Sequence, residues 1–210
     1  MKRTEFRGDG WQFPFVKYAP DNESDGLPVI IQLHGAGERG RGREDLVLVD
    51  AHGFTKMISA GGEYPCIFIM PQCPKESFWA ARVESIVEFV ERVKKEFNAD
   101  SDRVYLTGLS MGGYGTWYTA MARPDLFAAI APVCGGGMAW NAEVLTMPVW
   151  AFHGAEDKDV SPAQSDEMVE ALEKCGADVR YTRLDGVGHN VWNYAYNKEL
   201  FDWLMAQKRA

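Results

Sequence analysis

One pattern constrains this chain more than any other: short, continuously apolar runs alternate with longer stretches of helical period. The runs are V-I-I-Q-L-H (29–34), C-I-F-I-M (66–70), V-Y-L-T-G-L (104–109), A-A-I-A-P-V-C (128–134), V-W-A-F-H (149–153) and V-R-Y-T-R-L (179–184). Strands apolar at successive positions are covered on both faces. Helical stretches fall at about 80–98, 111–122, 162–175 and 193–207, and another lies within 45–60 and ends at Gly61-Gly62. The first places Val83, Ile86, Val87, Val90, Val93 and Phe97 on one stripe, with Glu84, Glu88, Arg92 and Lys95 off it. Ser161-Pro162 supplies a helix start and Gly176 a stop. Such alternation predicts an α/β fold, a mostly parallel central sheet with helices on both faces. Residues 1–27, with W-Q-F-P-F-V-K-Y, read as one or two edge strands, Pro14 being tolerated at an edge. Residues 28–210 form the core of a single domain, 1–210, with no linker, repeat or low-complexity stretch.

Charge and composition narrow the function classes. Thirty acidic against 22 basic residues leave a net charge of −8 with no block of like charges, so nucleic acid is not an expected partner. No apolar run approaches the roughly 18 residues of a membrane-spanning helix, and no membrane partner is expected. The start, M-K-R-T-E-F-R-G-D-G, has no apolar secretory core, so the expected location is cytoplasmic. Cys66, Cys73, Cys134 and Cys175 form no C-x-x-C pair. Buried free thiols are expected, with a Cys66–Cys73 bridge as the alternative. There is neither H-E-x-x-H nor a Cys/His cluster of ligand spacing, so no metal and no cofactor are expected.

The 21 glycines cluster at strand ends, where an open α/β sheet places its ligands. G-L-S-M-G-G (108–113) joins a strand directly to a helix. A serine at such a turn is held in a strained conformation that projects its hydroxyl, and side chains at Gly108 and Gly112 would collide across the turn. Ser110 is therefore the candidate nucleophile, with the Met111 N–H aimed at whatever it attacks. A serine hydroxyl needs a base, itself oriented by an acid. His34, His52 and His153 are each followed by glycine, and His34 and His153 end strands, where an imidazole caps backbone. His189 lies in D-G-V-G-H-N-V-W, after the last strand, and is the candidate base. The turn H-G-A-E-D-K-D offers Glu156, Asp157 and Asp159; Asp157 is the first choice of acid and Asp159 the second.

The third turn, H-G-A-G-E-R-G (34–40), contains a G-x-G-x-x-G. A dinucleotide site requires a helix to start inside that motif, whereas the residues that follow here are R-G-R-E-D. The competing role is an oxyanion loop with Ala36 as donor alongside Met111. Glu38 and Arg39 read either as a local ion pair bracing that loop or as solvated charges.

Together H-G-A-G-E-R-G, P-Q-C-P (71–74), G-L-S-M-G-G, H-G-A-E-D and G-V-G-H-N-V-W resemble the α/β-hydrolase superfamily. Within it they are similar to the compact esterases and predicted peptidases related to dienelactone hydrolases, acyl-protein thioesterases and polyhydroxybutyrate-depolymerase-type esterases. The resemblance implies a serine carboxylesterase acting on short-chain or aryl esters through an acyl-enzyme: Ser110 as nucleophile, Asp157 as acid, His189 as base, Ala36 and Met111 as oxyanion donors. A thioesterase or peptidase with the same triad is the alternative, and a non-catalytic binding domain of the fold a further one. Serine stands where dienelactone hydrolases use cysteine, so lactone chemistry is not implied, and no N-terminal domain of the prolyl-oligopeptidase kind is present. Lids in this superfamily follow the strand that here ends near Cys134, and the twelve residues 135–146 are too few for a lid domain. An open site suits a small ester or an acyl group on a carbohydrate. Three tryptophans near the strand-end motifs, Trp79, Trp140 and Trp192, are the candidate substrate contacts, while Trp117 and Trp150 are expected in the core.

Overall fold

A computed structural model describes residues 1–8 and 10–209. Eight strands form one sheet: β1 (Lys2–Phe6), β2 (Phe15–Ala19), β3 (Val29–Leu33), β4 (Ile67–Pro71), β5 (Val104–Leu109), β6 (Ala129–Val133), β7 (Val149–Gly154) and β8 (Val179–Leu184). Their spatial order is β1-β2-β4-β3-β5-β6-β7-β8. The β1–β2 and β2–β4 pairings are antiparallel, and every pairing from β4 to β8 is parallel.

The continuous apolar runs follow from two-sided burial. Val29, Ile31 and Leu33 of β3, with Val104 and Leu106 of β5, face one core, which α2 (Val83–Glu96), α3 (Met111–Ala122) and α4 (Ala163–Lys174) cover. Ile30, Phe68 and Tyr105 face the other, covered by α1 (Phe54–Ser59) and α6 (Lys198–Ala206). Successive strand residues point to opposite faces, so each run must be apolar throughout. Trp117 and Trp150 are buried in these cores.

The structure departs from the sequence-based expectations in three places. Of the two N-terminal strands, only β1 lies at an edge; β2 lies between β1 and β4 with Phe15 and Val16 fully buried, and Pro14 stands just outside it. The stretch within 45–60 divides into a 3-10 segment, Glu44–Asp50, and α1, with Gly53 between them at φ +80°. The final helix is broken into α5 (Trp192–Ala195) and α6, because Asn197 is extended and its side chain caps the second piece by accepting the Leu200 N–H at 2.9 Å.

Helix α3 is the central helix and starts against the end of β3. A Cβ on Gly112 would stand 2.0 Å from the Leu33 carbonyl oxygen, and one on Gly108 would stand 2.4 Å from the Gly112 carbonyl oxygen. Both partners are backbone and cannot swing aside. Gly112→Ala is therefore expected to cost about 3 kcal/mol or more, read as a lowered urea midpoint with an unchanged m-value.

Candidate active site

The parallel strands bring three turns to one edge of the sheet. Ser110 sits between β5 and α3 at φ 54°, ψ −116°. Its N–H donates to the Val133 carbonyl at 2.9 Å, and its carbonyl accepts from Tyr114 at 3.2 Å. Positive φ at a non-glycine residue stores strain, held here by packing on either side of the turn. The Ser110 Oγ hydroxyl donates to His189 Nε2 at 2.8 Å, and His189 Nδ1–H donates to Asp157 Oδ2 at 2.7 Å. Asp157 follows β7 and is 6% exposed. Its Oδ1 accepts the N–H groups of Asp159 and Val160, each at 2.9 Å. Burial alone would raise the Asp157 carboxyl, but the His189 hydrogen bond and those two N–H groups outweigh it, and the group is held below the ordinary carboxylate range. The other candidate acid, Asp159, is exposed and contributes through its backbone.

Ala36 and Met111 flank the serine. Ala36 opens a single 3-10 turn, Ala36–Glu38, after which Arg39 is extended. That single turn does not continue as an α-helix from the G-A-G-E-R-G motif, so the requirement of a dinucleotide site is not met. Met111 is the first residue of α3, whose first-turn N–H groups have no intrahelical partner.

The loop around Ala36 is anchored from beneath. His34 Nε2 accepts the Cys73 N–H at 2.9 Å, so its proton lies on Nδ1, which donates to the Gly35 carbonyl at 2.6 Å. Of the two readings of Glu38 and Arg39, mutual ion pair or solvated charges, the structure shows neither alone. Arg39 donates to the carbonyls of Ala36 at 2.9 Å and Ser77 at 3.3 Å, while Glu38 turns toward His52, at 3.8 Å. Two buried amides tie the segments together. Gln72 donates to the carbonyls of Glu38 (3.1 Å) and Asp45 (2.8 Å) and accepts from Gly42 (2.9 Å). Gln32 bridges the His52 carbonyl and the Phe54 N–H at 2.9 and 2.8 Å.

These elements enclose a cleft of about 190 Å³ whose lining includes Ala36, Glu38, His52, Ser110, His189 and Trp192. A larger hollow, about 600 Å³, lies at the opposite edge of the sheet between Ala128, Pro148 and Arg209. It is far from the serine, so chemistry rather than size identifies the site. The three loop tryptophans separate. Trp192 lines the cleft and packs edge-on against His189, with ring centroids 5.1 Å apart. Trp79 is fully buried and donates its Nε1–H to the His34 carbonyl at 2.9 Å; it supports the loop from the core and offers substrate no surface. Trp140 is 80% exposed, outside the cleft lining, on the 3-10 segment Ala139–Val144 in the connection after β6. Glu38 and His52 were missed as cleft residues. The only sequence signal was their adjacency to glycine-rich turns.

Residues 80–142 match the prolyl oligopeptidase family. The bifunctional acetylxylan esterase/xylanase of Neocallimastix patriciarum is 31% identical over 140 residues, 65% of this chain and 20% of that protein. Poly(3-hydroxyalkanoate) depolymerase C of Paucimonas lemoignei is 30% identical over 202 residues, 73% of this chain and 46% of that protein. The chain thus spans less than half the length of either relative. Among solved structures, a thermostable esterase superposes with a TM-score of 0.83 at 32% identity, covering 99% of this chain and 63% of that one.

His34 makes a pH test of this architecture. Burial lowers its imidazole to about 4. The unfolded chain takes up a proton near the ordinary histidine value of about 6.5, which the folded chain refuses until about pH 4. Stability is therefore expected to fall by about 3 kcal/mol as pH drops across that window. Urea unfolding of the wild type and of His34→Gln at several pH values reads this, with the variant showing the shallower slope.

Proposed function

We propose that this chain, a member of the α/β-hydrolase superfamily, is a serine carboxylesterase that cleaves short-chain or aryl esters, including acyl groups carried on carbohydrate. The observation that carries the reading is the continuous hydrogen-bonded chain from Ser110 through His189 to Asp157, opening on a cleft. In this scheme His189 Nε2 takes the Ser110 proton as Oγ attacks the ester carbonyl. Asp157 holds the imidazole in the required tautomer and offsets its charge. The N–H groups of Ala36 and Met111 receive the oxyanion, each contributing on the order of 3 kcal/mol to the transition state. The protonated His189 then donates to the departing alcohol, and water, deprotonated in turn by His189, releases the acid from Ser110.

The small cleft suits a short acyl group. Glu38 adds a carboxylate to the cleft lining, its Oε1 3.8 Å from His52 Nε2. A carboxylate there accepts hydrogen bonds from a substrate hydroxyl. The acetylxylan esterase among the relatives acts, by its name, on an acetylated carbohydrate, which is in keeping with that chemistry.

The prolyl oligopeptidase match gives a second reading, a peptidase with the same triad. Matched ester, thioester and anilide substrates separate the two, and the ester is expected to turn over fastest. Ser110→Ala is expected to lower p-nitrophenyl acetate hydrolysis by on the order of 10⁶-fold with an unchanged circular dichroism spectrum. Retained turnover would overturn the assignment. Glu38→Gln is expected to raise KM about tenfold for an acetylated xylo-oligosaccharide, as loss of one charged hydrogen bond implies, while KM for p-nitrophenyl acetate changes little.

A further inference from the structure

Beneath the triad lies a second, fully buried imidazole whose contacts the esterase scheme leaves unused. His153 is the penultimate residue of β7 and is 0% exposed. Its Nε2 stands 3.0 Å from the Val160 carbonyl oxygen and 3.3 Å from Asp157 Oδ2, the same oxygen that receives His189 Nδ1–H. Its Nδ1 lies 2.7 Å from Ser165 Oγ, which also reaches the Gly135 carbonyl at 2.8 Å.

The Ser165 hydroxyl has one proton and two claimants, the Gly135 carbonyl and His153 Nδ1. If it stays on Gly135, Nδ1 carries the imidazole proton, and the bare Nε2 lone pair faces two acceptors, the Val160 carbonyl and the ionised Asp157 Oδ2. If it turns to Nδ1, Nε2 carries the proton and only the Gly135 carbonyl gives up its partner, which is the less repulsive arrangement. Burial, the leading influence, lowers the His153 imidazole below its ordinary value, so at neutral pH it carries one proton. That proton therefore belongs on Nε2.

We propose that His153 is a positioning residue for the triad: its Nε2–H, hydrogen-bonded to the Val160 carbonyl, stands 3.3 Å from the Asp157 oxygen that receives His189 and so tempers how strongly the aspartate draws on the catalytic base. A second N–H beside one carboxylate oxygen offsets part of its charge. Without His153, Asp157 would bind the protonated form of His189 more tightly, and the base would protonate at a higher pH. The remaining groups facing this cluster do not reproduce the effect. The Cys134 thiol, after β6, has its ionisation pushed up by burial and stays neutral. Asp166 on α4 acts on His153 only through space, and Tyr114 on α3 is itself pushed up by burial. Asp159 contributes its backbone N–H to the other oxygen of Asp157.

The proposal rests on the esterase reading for its kinetic test but not for its spectroscopic one. In the pH dependence of kcat/KM for p-nitrophenyl acetate, His153→Phe is expected to move the acid limb upward by roughly half a unit or more, with KM little changed. His153→Gln, which restores an uncharged N–H donor, is expected to bring the limb back toward the wild type. An unmoved limb in folded His153→Phe, or equal displacement in both variants, overturns the proposal. Should the phenylalanine variant not fold, ¹⁵N-resolved NMR of the wild-type imidazoles decides. A proton on Nε2 of His153 at neutral pH supports the assignment, and an Nδ1–H tautomer with bare Nε2 refutes it, whether or not the chain hydrolyses esters.

Discussion

The close approach of the start of α3 to the end of β3 governs what is built on this sheet edge. Only a residue without a side chain allows the Gly112 backbone to come so near the Leu33 carbonyl, and that contact forces the turn to be sharp. A sharp turn leaves Ser110 at positive φ with its hydroxyl lifted off the sheet, and it points the first N–H groups of α3 at the same space. The candidate nucleophile and one candidate oxyanion donor thus follow from a single packing constraint. Their relative position is a backbone property, which makes it insensitive to side-chain rearrangement.

Much of this was legible in the sequence because it is encoded locally. Two-sided burial writes itself as continuous apolar runs, and a strand-to-helix turn at the steric limit writes itself as glycines on either side of a serine. His189 stood out because a loop after the last strand has only one place to go, the carboxyl edge of the sheet. What was not legible depends on contacts between distant segments. Trp79 and Trp192 have equivalent local surroundings, yet one is core and the other lines the cleft, because burial is decided by what packs across from each. Glu38 read as half of a local ion pair or as a solvated charge, but Arg39 finds the carbonyls of Ala36 and Ser77 instead. The placement of Glu38 and His52 relies on Gln72 and Gln32, buried amides that bridge segments 20 to 34 residues apart. Nothing in the local pattern marks those two glutamines as structural.

Asn197 shows the same principle at smaller scale. Helical period continued through it, but an asparagine side chain competes for backbone N–H groups and here starts a new helix rather than extending the old one. Similarly, β2 was placed at the edge on the strength of Pro14, yet the proline lies one residue outside the ladder, and its carbonyl accepts the Gln72 N–H at 2.8 Å.

The short connection after β6 inserts no lid domain among the described residues, and the hydrogen bonds that order the site come from beneath it. The hydrogen bonds are distributed accordingly. Asp157 is a buried carboxylate, which is stable as an ion only if its oxygens are saturated; the Asp159 and Val160 N–H groups fill one oxygen, and His189 and His153 converge on the other. His34 is kept neutral by burial and held in one tautomer by Cys73 and Gly35, and Trp79 fixes its carbonyl. His189 and the loop around Ala36 are thus backed by buried partners that cannot reorient without breaking hydrogen bonds in the core, so the aim of these groups is set by the layer below them.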